Sequence, residues 1–323
     1  MHKILTYLTV IVLAIAGCTE DHPISEENES LAALPPHRQC AAIEVLETQM
    51  KADPKFRARL ENIELQTREF IESGRTDVTG QITIPVIVNV IYRTDMENIS
   101  LEQIESQIDV LNEDFNAQSA GIENIPGRFV NRVADMEMSF VLKEVNRKFS
   151  NREVWSLNDD MKRSSKGGLD PVSPGANLNI WVVNKIMNDG KLILGYAQFP
   201  GGDPATDGVV VGFNFFGRTG FVSAPFDQGR TTTHEIGHWL NMRHIWGDDD
   251  CGDDLVGDTP PHDTFNYGCL SYPHLSLCND KPELTMNFMD YTDDACMYMF
   301  TKGQKYRARS LFDPKRARSG IRQ

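Results

Sequence analysis

The sequence predicts an α+β fold, in which a mixed, twisted sheet packs against two helices and follows a short, separate amino-terminal segment. Residues 81–92 (QITIPVIVNVIY) are apolar and rich in β-branched side chains, which is typical of a buried strand. Ser100 caps a helix with Gln103 three residues later, and apolar residues then recur along one helical face that we assign to the core: Leu101, Ile104, Ile108, Leu111 and Phe115. Further strand patterns precede a second helix that begins near Arg230: residues 136–145, 178–184 and 208–213.

The chain divides into three parts by composition. Residues 1–17 hold a short basic start and an apolar run too short to cross a bilayer, which is typical of an export signal. Residues 18–75 are polar and broken by a Pro-Pro pair. Residues 76–323 form the main domain, with an upper part that ends at about residue 244 and a lower part that begins at about residue 245.

Cys18 follows the export signal directly, and residues 15–18 (IAGC) resemble the lipobox of bacterial lipoproteins. The resemblance implies a lipid on Cys18 and a protein at the bacterial outer membrane or cell surface, where the lipid anchor is its only membrane contact. An ordinary signal peptide cut nearby, which would release a secreted protein, is the alternative.

The charge balance is acidic, with 46 acidic against 32 basic residues and a net charge of −14. Nucleic-acid binding requires a basic surface, so we expect no nucleic-acid partner. The chain also has no G-x-S-x-G motif, which argues against a hydrolase with a serine nucleophile.

Residues 234–244, HEIGHWLNMRH, place three histidines and one glutamate at the spacing that a catalytic zinc requires. His234 and His238 are four residues apart and therefore share one face of a helix, where both can bind one ion through ring nitrogens. Glu235 projects beside them and is the candidate general base. Three protein ligands leave one zinc position open for water and substrate, which predicts hydrolysis of peptide bonds.

The third ligand requires this helix to end. His244 lies six residues after His238, and a continuous helix would turn it away from the metal. In the extended zinc motif that this stretch resembles, a glycine with positive φ ends the helix three residues after the second histidine, and here Asn241 has that position. Asparagine tolerates the left-handed region, so we expect Asn241 to end the helix and bring His244 to the ion. The alternative is a surface helix with unrelated histidines.

Three further segments accompany the zinc motif: GYAQFP at 195–200, DGVVV at 207–211 and NFMDY at 287–291. Together with that motif, they resemble the pappalysin (ulilysin-like, M43-type) family of metzincin zinc peptidases over roughly residues 80 to 310. The resemblance implies a metzincin-type catalytic domain with a backing helix and an active-site helix. It also implies that Met289, in the Met-turn, forms the floor beneath the zinc ligands and that Tyr291 stabilises the reaction's oxyanion.

The segment 18–75 resembles a pro-segment. It contains two helical stretches, at residues 41–50 and 56–70. Residues 38–40 (RQC) resemble the cysteine-switch motif, in which a thiolate from the pro-segment occupies the open zinc position. The resemblance implies that Cys40 keeps the enzyme latent and that autolysis near residues 74–75 removes the segment. A free thiol or an intermolecular disulfide is the alternative for Cys40.

Four other cysteines bracket the region between the zinc motif and the Met-turn: Cys251, Cys269, Cys278 and Cys296. An exported protein permits disulfides, and four cysteines allow three pairings. The family resemblance favours Cys251 with Cys278 and Cys269 with Cys296. A cysteine-based metal site is the alternative, although these four residues contain no C-x-x-C spacing.

Residues 248–259 contain six carboxylates, which repel one another at that density. A hard divalent cation with oxygen ligands would relieve the repulsion, and Ca²⁺ is the ion expected outside the cytoplasm. The resemblance favours a structural calcium with Asp254 and Thr259 among its ligands. A solvated acidic loop is the alternative.

These observations predict a secreted or surface-anchored zinc endopeptidase that acts on proteins or peptides, which we expect to bind extended beside an edge strand. Asp293 and Asp294 follow the Met-turn, and a carboxylate there would suit the Arg or Lys that relatives often accept on the carboxyl side of the cleaved bond. The alternative is a catalytically inactive surface lipoprotein that binds a ligand and keeps zinc for structure. Glu235 argues against it, because a structural zinc site needs no adjacent carboxylate.

Overall fold

The computed structural model describes residues 37–74 and 79–321. The predicted export signal, Cys18 and residue 75 of the predicted cleavage region lie outside these residues. Within the described part of the chain, no helix is both long and apolar enough to cross a membrane.

A five-stranded sheet forms the centre of the fold. The described residues form the strands β1 (Ile82–Tyr92), β2 (Met138–Phe149), β3 (Leu178–Val183), β4 (Ile186–Asn188), β5 (Lys191–Ile193), β6 (Gly195–Ala197) and β7 (Val209–Gly212). The sheet has the order β2-β1-β3-β7-β6, while β4 and β5 pair in a separate antiparallel hairpin. The first four strands of the sheet pair in parallel and β6 pairs antiparallel with β7, so the predicted mixed sheet is confirmed.

In the part of the chain that the structure describes, five α-helices accompany these strands: α1 (Ala42–Ala52), α2 (Pro54–Glu72), α3 (Leu101–Phe115), α4 (Arg230–Trp239) and α5 (Lys302–Ser310). The predicted α+β fold is therefore confirmed, and the two helices expected in the amino-terminal segment are α1 and α2. The hairpin, the short strand β6 and helix α5 were not predicted from the sequence. The strands of the hairpin and β6 have only three residues each, which is too short to show a periodic pattern.

The backing helix α3 begins where the sequence indicates. Ser100 Oγ accepts a hydrogen bond from the Gln103 backbone N–H at 3.1 Å, which satisfies one free donor of the first turn. The Gln103 side chain is buried and donates instead to the carbonyl oxygens of Phe213 and Phe216. Of the apolar stripe assigned to the core, Leu101, which is the first residue of the helix, is 50% exposed, and the other four residues are buried.

A buried ion pair joins α3 to α4. Arg230, at the start of α4, lies 2.7 Å from Asp114 Oδ1 near the end of α3, and both side chains are at most 2% exposed. Thr233 Oγ1 donates to the other Asp114 oxygen at 2.7 Å. Burial raises the pKa of Asp114 to about 6, although Arg230 and Thr233 oppose that shift. Helix α4 is therefore fixed against the backing helix at its amino-terminal turn.

Candidate active site

Three imidazoles converge at the carboxyl-terminal end of α4. His234 and His238 lie on one face of the helix with their Nε2 atoms 3.2 Å apart, and His238 Nε2 lies 3.1 Å from His244 Nε2. All three side chains are buried. Nitrogen ligands at the usual zinc distance form a tetrahedron with edges of about 3.3 Å. The donor set and its spacing therefore fit a zinc ion.

The outer nitrogen of each ring is bonded to an oxygen of the protein. The contacts are His234 Nδ1 with Phe288 O at 2.7 Å, His238 Nδ1 with Met242 O at 2.9 Å and His244 Nδ1 with Asp248 Oδ1. An oxygen acceptor at Nδ1 places the ring proton there and leaves the Nε2 lone pair directed at the common centre. Burial and the neighbouring imidazoles lower the pKa of His234 and His238, to about 3 for His238. These rings are therefore neutral, as metal binding requires.

The turn after α4 delivers the third imidazole. The helix ends at Trp239, and Asn241 has φ of +68° with a fully buried side chain. Arg307 Nε, from α5, donates to Asn241 O at 2.5 Å and fixes the turn from outside. The chain thus reverses direction at the position where the sequence predicts the end of the helix, and His244 returns to the other two rings.

Cys40 completes this group of side chains. Its Sγ and one ring nitrogen of each histidine all lie within 4.8 Å of one another. The thiol also donates to Glu235 Oε2 at 3.4 Å. Burial raises the pKa of Glu235 to about 8, and burial together with the Glu235 carboxylate raises the pKa of the Cys40 thiol. A cation among the rings would reverse the shift at Cys40, because a coordinating thiol loses its proton.

The segment around Cys40 pairs with the edge of the sheet. Leu194 N donates to Gln39 O at 2.9 Å, and Ala41 N donates to Gly195 O at 3.2 Å, so the segment runs parallel to β6. The Tyr291 hydroxyl donates to Cys40 O at 3.3 Å. An extended chain therefore lies along the edge strand, with one of its carbonyl oxygens on Tyr291.

Arg38 enters a buried pocket beyond the Met-turn. Its guanidinium lies 2.5 Å from Asp294 Oδ1, and both side chains are at most 1% exposed. Further donors of Arg38 reach Thr292 O and Thr231 Oγ1, the latter at 3.0 Å. Asp294 Oδ2 accepts the backbone N–H groups of Gln228 and Arg230, which orient the carboxylate. Asp294, rather than the partly exposed Asp293, is the carboxylate of this pocket.

Met289 packs beneath the middle of α4. A Cβ added at Gly237 would lie 2.3 Å from Met289 Sδ, and the Met289 side chain is fully buried. Only a glycine at position 237 allows the methionine to approach the helix this closely. The Met-turn therefore lies directly below the helix that carries His234 and His238.

Two disulfides brace the loop between the zinc helix and the Met-turn. Cys251 bonds to Cys278 and Cys269 bonds to Cys296, with Cα atoms 5.8 and 5.6 Å apart. These are the pairs that the family resemblance favours.

Asp254, in the acidic stretch 248–259, is 4% exposed. Its Oδ1 accepts from Val256 N, while Thr259 Oγ1 lies 2.9 Å from that oxygen and 2.7 Å from Val256 O. Asp254 Oδ2 is buried with no hydrogen-bond partner among the described residues.

The sequence patterns did not predict the roles of some residues at the site. Asp248 was counted only among the acidic loop residues, although its position four residues after His244 is a usable signal for a partner of that ring. The pairing of Arg38 with Asp294 joins residues 256 positions apart, and no local pattern could indicate it.

The fold and the three-histidine cluster define a zinc-dependent metallopeptidase of the metzincin type. A family profile for Peptidase M43, described as pregnancy-associated plasma protein-A, matches residues 172–313, which include the zinc motif and the Met-turn. An extracellular metalloprotease of Verticillium alfalfae is 31% identical over 223 residues, covering 65% of this chain and 69% of the relative. One of Arthroderma benhamiae is 29% identical over 251 residues, covering 74% of each chain.

Two solved structures from Tannerella forsythia are similar to the protein. Mature mirolysin in complex with a cleaved peptide is 43% identical, with a TM-score of 0.72, and the match covers 76% of this chain and 96% of that one. A mutant of promirolysin is 39% identical, with a TM-score of 0.80, over 88% and 97% of the two chains. The chain belongs to the M43 (pappalysin) family and is a zinc metalloendopeptidase.

Gly237→Ala tests the packing of the Met-turn. We expect overpacking against Met289 to cost about 2 kcal/mol, which exceeds the gain in helix propensity of about 1 kcal/mol. Denaturant unfolding of the zinc-loaded protein measures the difference. Gly257→Ala is the matched control, since an added Cβ meets nothing within 4 Å there. Equal unfolding free energies for the two variants would contradict the close approach of Met289.

Proposed function

We propose that the protein is made as a latent zinc endopeptidase, in which His234, His238 and His244 hold the ion and Glu235 is the general base. The observation that supports this proposal most directly is the convergence of three Nε2 atoms beside the Glu235 carboxylate, with Cys40 Sγ closing the group. Cys40 is then the thiol that blocks the metal, and residues 18–75 are the pro-segment whose removal opens the cleft.

Each side chain has a separate task in peptide hydrolysis. Zinc, when bound, supplies a Lewis acid that acidifies water and polarises a peptide carbonyl. Glu235 Oε2 accepts a proton from the attacking water and later delivers it to the departing nitrogen. Tyr291 donates a hydrogen bond from its hydroxyl to the substrate carbonyl oxygen as that oxygen becomes negative. The hydrogen bond from the Tyr291 hydroxyl to Cys40 O supports this role, because it shows that the hydroxyl can donate to a peptide carbonyl oxygen at this position.

Glu235→Gln tests the proposed base in the matured protein. Glutamine keeps the shape but cannot accept the proton, so we expect peptide cleavage to fall by at least about 100-fold with zinc content unchanged. Cleavage assays and elemental analysis on the same sample give both quantities. Removing zinc with a chelator should abolish cleavage in the parent protein, and added zinc should restore it. Unchanged cleavage in Glu235→Gln, or in the zinc-free protein, would refute the mechanism.

We also propose that the enzyme prefers Arg or Lys on the carboxyl side of the cleaved bond. The support is Arg38, which fills a pocket whose buried carboxylate is Asp294. A basic substrate side chain in the place of Arg38 would donate hydrogen bonds to the same carboxylate and to the carbonyl oxygen of Thr292. Burying that carboxylate without a cation is costly, which disfavours apolar side chains in this pocket.

Asp294→Asn tests this preference. We expect kcat/KM for peptides with Arg at that position to fall by about 10- to 100-fold, the scale of one buried charge-assisted hydrogen bond. Matched peptides with Leu there should lose little, since Leu makes no ion pair. Asp293→Asn is the control for a neighbouring loss of charge. Should the parent enzyme cleave Arg and Leu peptides equally fast, the proposal fails.

We propose further that Asp254 and Thr259 help to bind a structural calcium ion. The buried, unpartnered Asp254 Oδ2 supports this, together with the neighbouring oxygens of Thr259 and Val256. Calcium at 100 times its dissociation constant should then stabilise the depleted protein by about 2.7 kcal/mol. Thermal unfolding should show this in the parent and in Asp253→Asn, whose carboxylate is exposed, and not in Asp254→Asn. A calcium effect that survives in Asp254→Asn would exclude this site.

Export is the remaining part of the proposal. Relatives named extracellular metalloproteases support secretion. Lipidation of Cys18 and cleavage near residues 74–75 stay predictions, because neither position is fully within the described residues. The mass of the mature amino-terminal peptide would decide both.

A further inference from the structure

Helix α2 follows Cys40 in the chain and packs against the main domain at a second place. Three apolar side chains of α2 are buried, those of Phe56, Ile63 and Phe70. Thr67 Oγ1 of the same helix lies 3.1 Å from Ser310 Oγ at the end of α5. One acidic residue, Glu64, lies within this packed face and has a side chain only 15% exposed.

Glu64 bonds to two residues of the catalytic domain. Its Oε1 accepts a hydrogen bond from Asn241 Nδ2 at 3.1 Å and another from Arg307 Nη2. The Arg307 side chain is 2% exposed, and its Nε donates to Asn241 O. Glu64, Asn241 and Arg307 therefore form one closed cluster around the turn that leads to His244.

The charges make this cluster selective for a carboxylate. A buried guanidinium such as that of Arg307 needs an anionic partner. Among the described residues, the backbone partner of the Arg307 guanidinium is Asn241 O, which supplies no charge. Asn241 adds a donor that a glycine with the same positive φ would lack, so its side chain has a use here beyond ending the helix.

We propose that Asn241 and Arg307 form a carboxylate-binding site of the catalytic domain, which Glu64 occupies in the latent protein. This contact restrains the pro-segment independently of Cys40 and zinc. The contact also joins the segment to the turn that leads to the third metal ligand. Dissociation of Glu64 is therefore linked to opening of the cleft. The inference rests on the proposed function only in treating residues 18–75 as a segment that is released.

The rate at which Cys40 becomes accessible reports the opening of the segment. The test uses full-length protein in a Glu235→Ala background, which cannot process itself, with zinc removed so that no ion holds the thiol. Cys40 is the only free cysteine among the described residues, and mass spectrometry of its peptide follows its labelling by a thiol reagent. This readout needs no catalysis, so it remains informative if the proposed peptidase activity proves wrong.

Glu64→Gln keeps the shape of the side chain and removes its charge. We expect labelling of Cys40 to accelerate by about tenfold, the scale of one charge-assisted hydrogen bond. Glu69→Gln is the matched control, because Glu69 lies on the same helix and is exposed, and its labelling rate should equal that of the parent.

Asn241→Gly provides a second, independent variant. Glycine tolerates the positive φ and removes the side chain that carries the amide donor, so labelling should accelerate here too. The double variant Glu64→Gln/Asn241→Gly should label more slowly than the product of the two single effects predicts, since both changes remove one shared contact. The proposal is overturned if Glu64→Gln labels at the rate of Glu69→Gln, or if the two single effects multiply fully.

Discussion

The site depends on one constraint, which is that α4 must end before its face turns away from the metal. Two histidines four residues apart follow from any helix, but the third Nε2 reaches the same point only because the chain reverses at Asn241. The reversal is fixed by Arg307 from one side, and Met289 packs beneath the helix that precedes it. The positions of the three metal-binding nitrogens therefore depend on three separate parts of the chain, which are α4 with its following turn, the Met289 segment and Arg307 in α5.

The same geometry explains how one short segment can keep the site closed. Between residues 38 and 41, the chain pairs with the edge strand, presents a thiol to the histidines and places a guanidinium in the Asp294 pocket. In the proposed mechanism, each contact occupies a group that hydrolysis would use. Because the segment partners the buried carboxyl groups of Glu235 and Asp294, its departure leaves both groups to be solvated by water or substrate.

The sequence predicts the parts of this arrangement that are local in the chain. Helix spacing places His234, Glu235 and His238, and the left-handed tolerance of asparagine accounts for the turn at Asn241. Strand β6 could not be predicted, since three residues carry no periodicity and its pairing is decided by β7 and by the segment around Cys40. Contacts such as Arg38 with Asp294 and Glu64 with Arg307 depend on packing between distant elements, and charge pattern alone does not select the partner.

Anomalous X-ray scattering at the zinc absorption edge, from crystals of the full-length protein, tests the central claim most directly. The account predicts one peak at about 2.0–2.1 Å from the Nε2 atoms of His234, His238 and His244, with Cys40 Sγ at about 2.3 Å. Density with no zinc signal among the three rings, or with the His244 ring turned away because the chain does not reverse at Asn241, would contradict it.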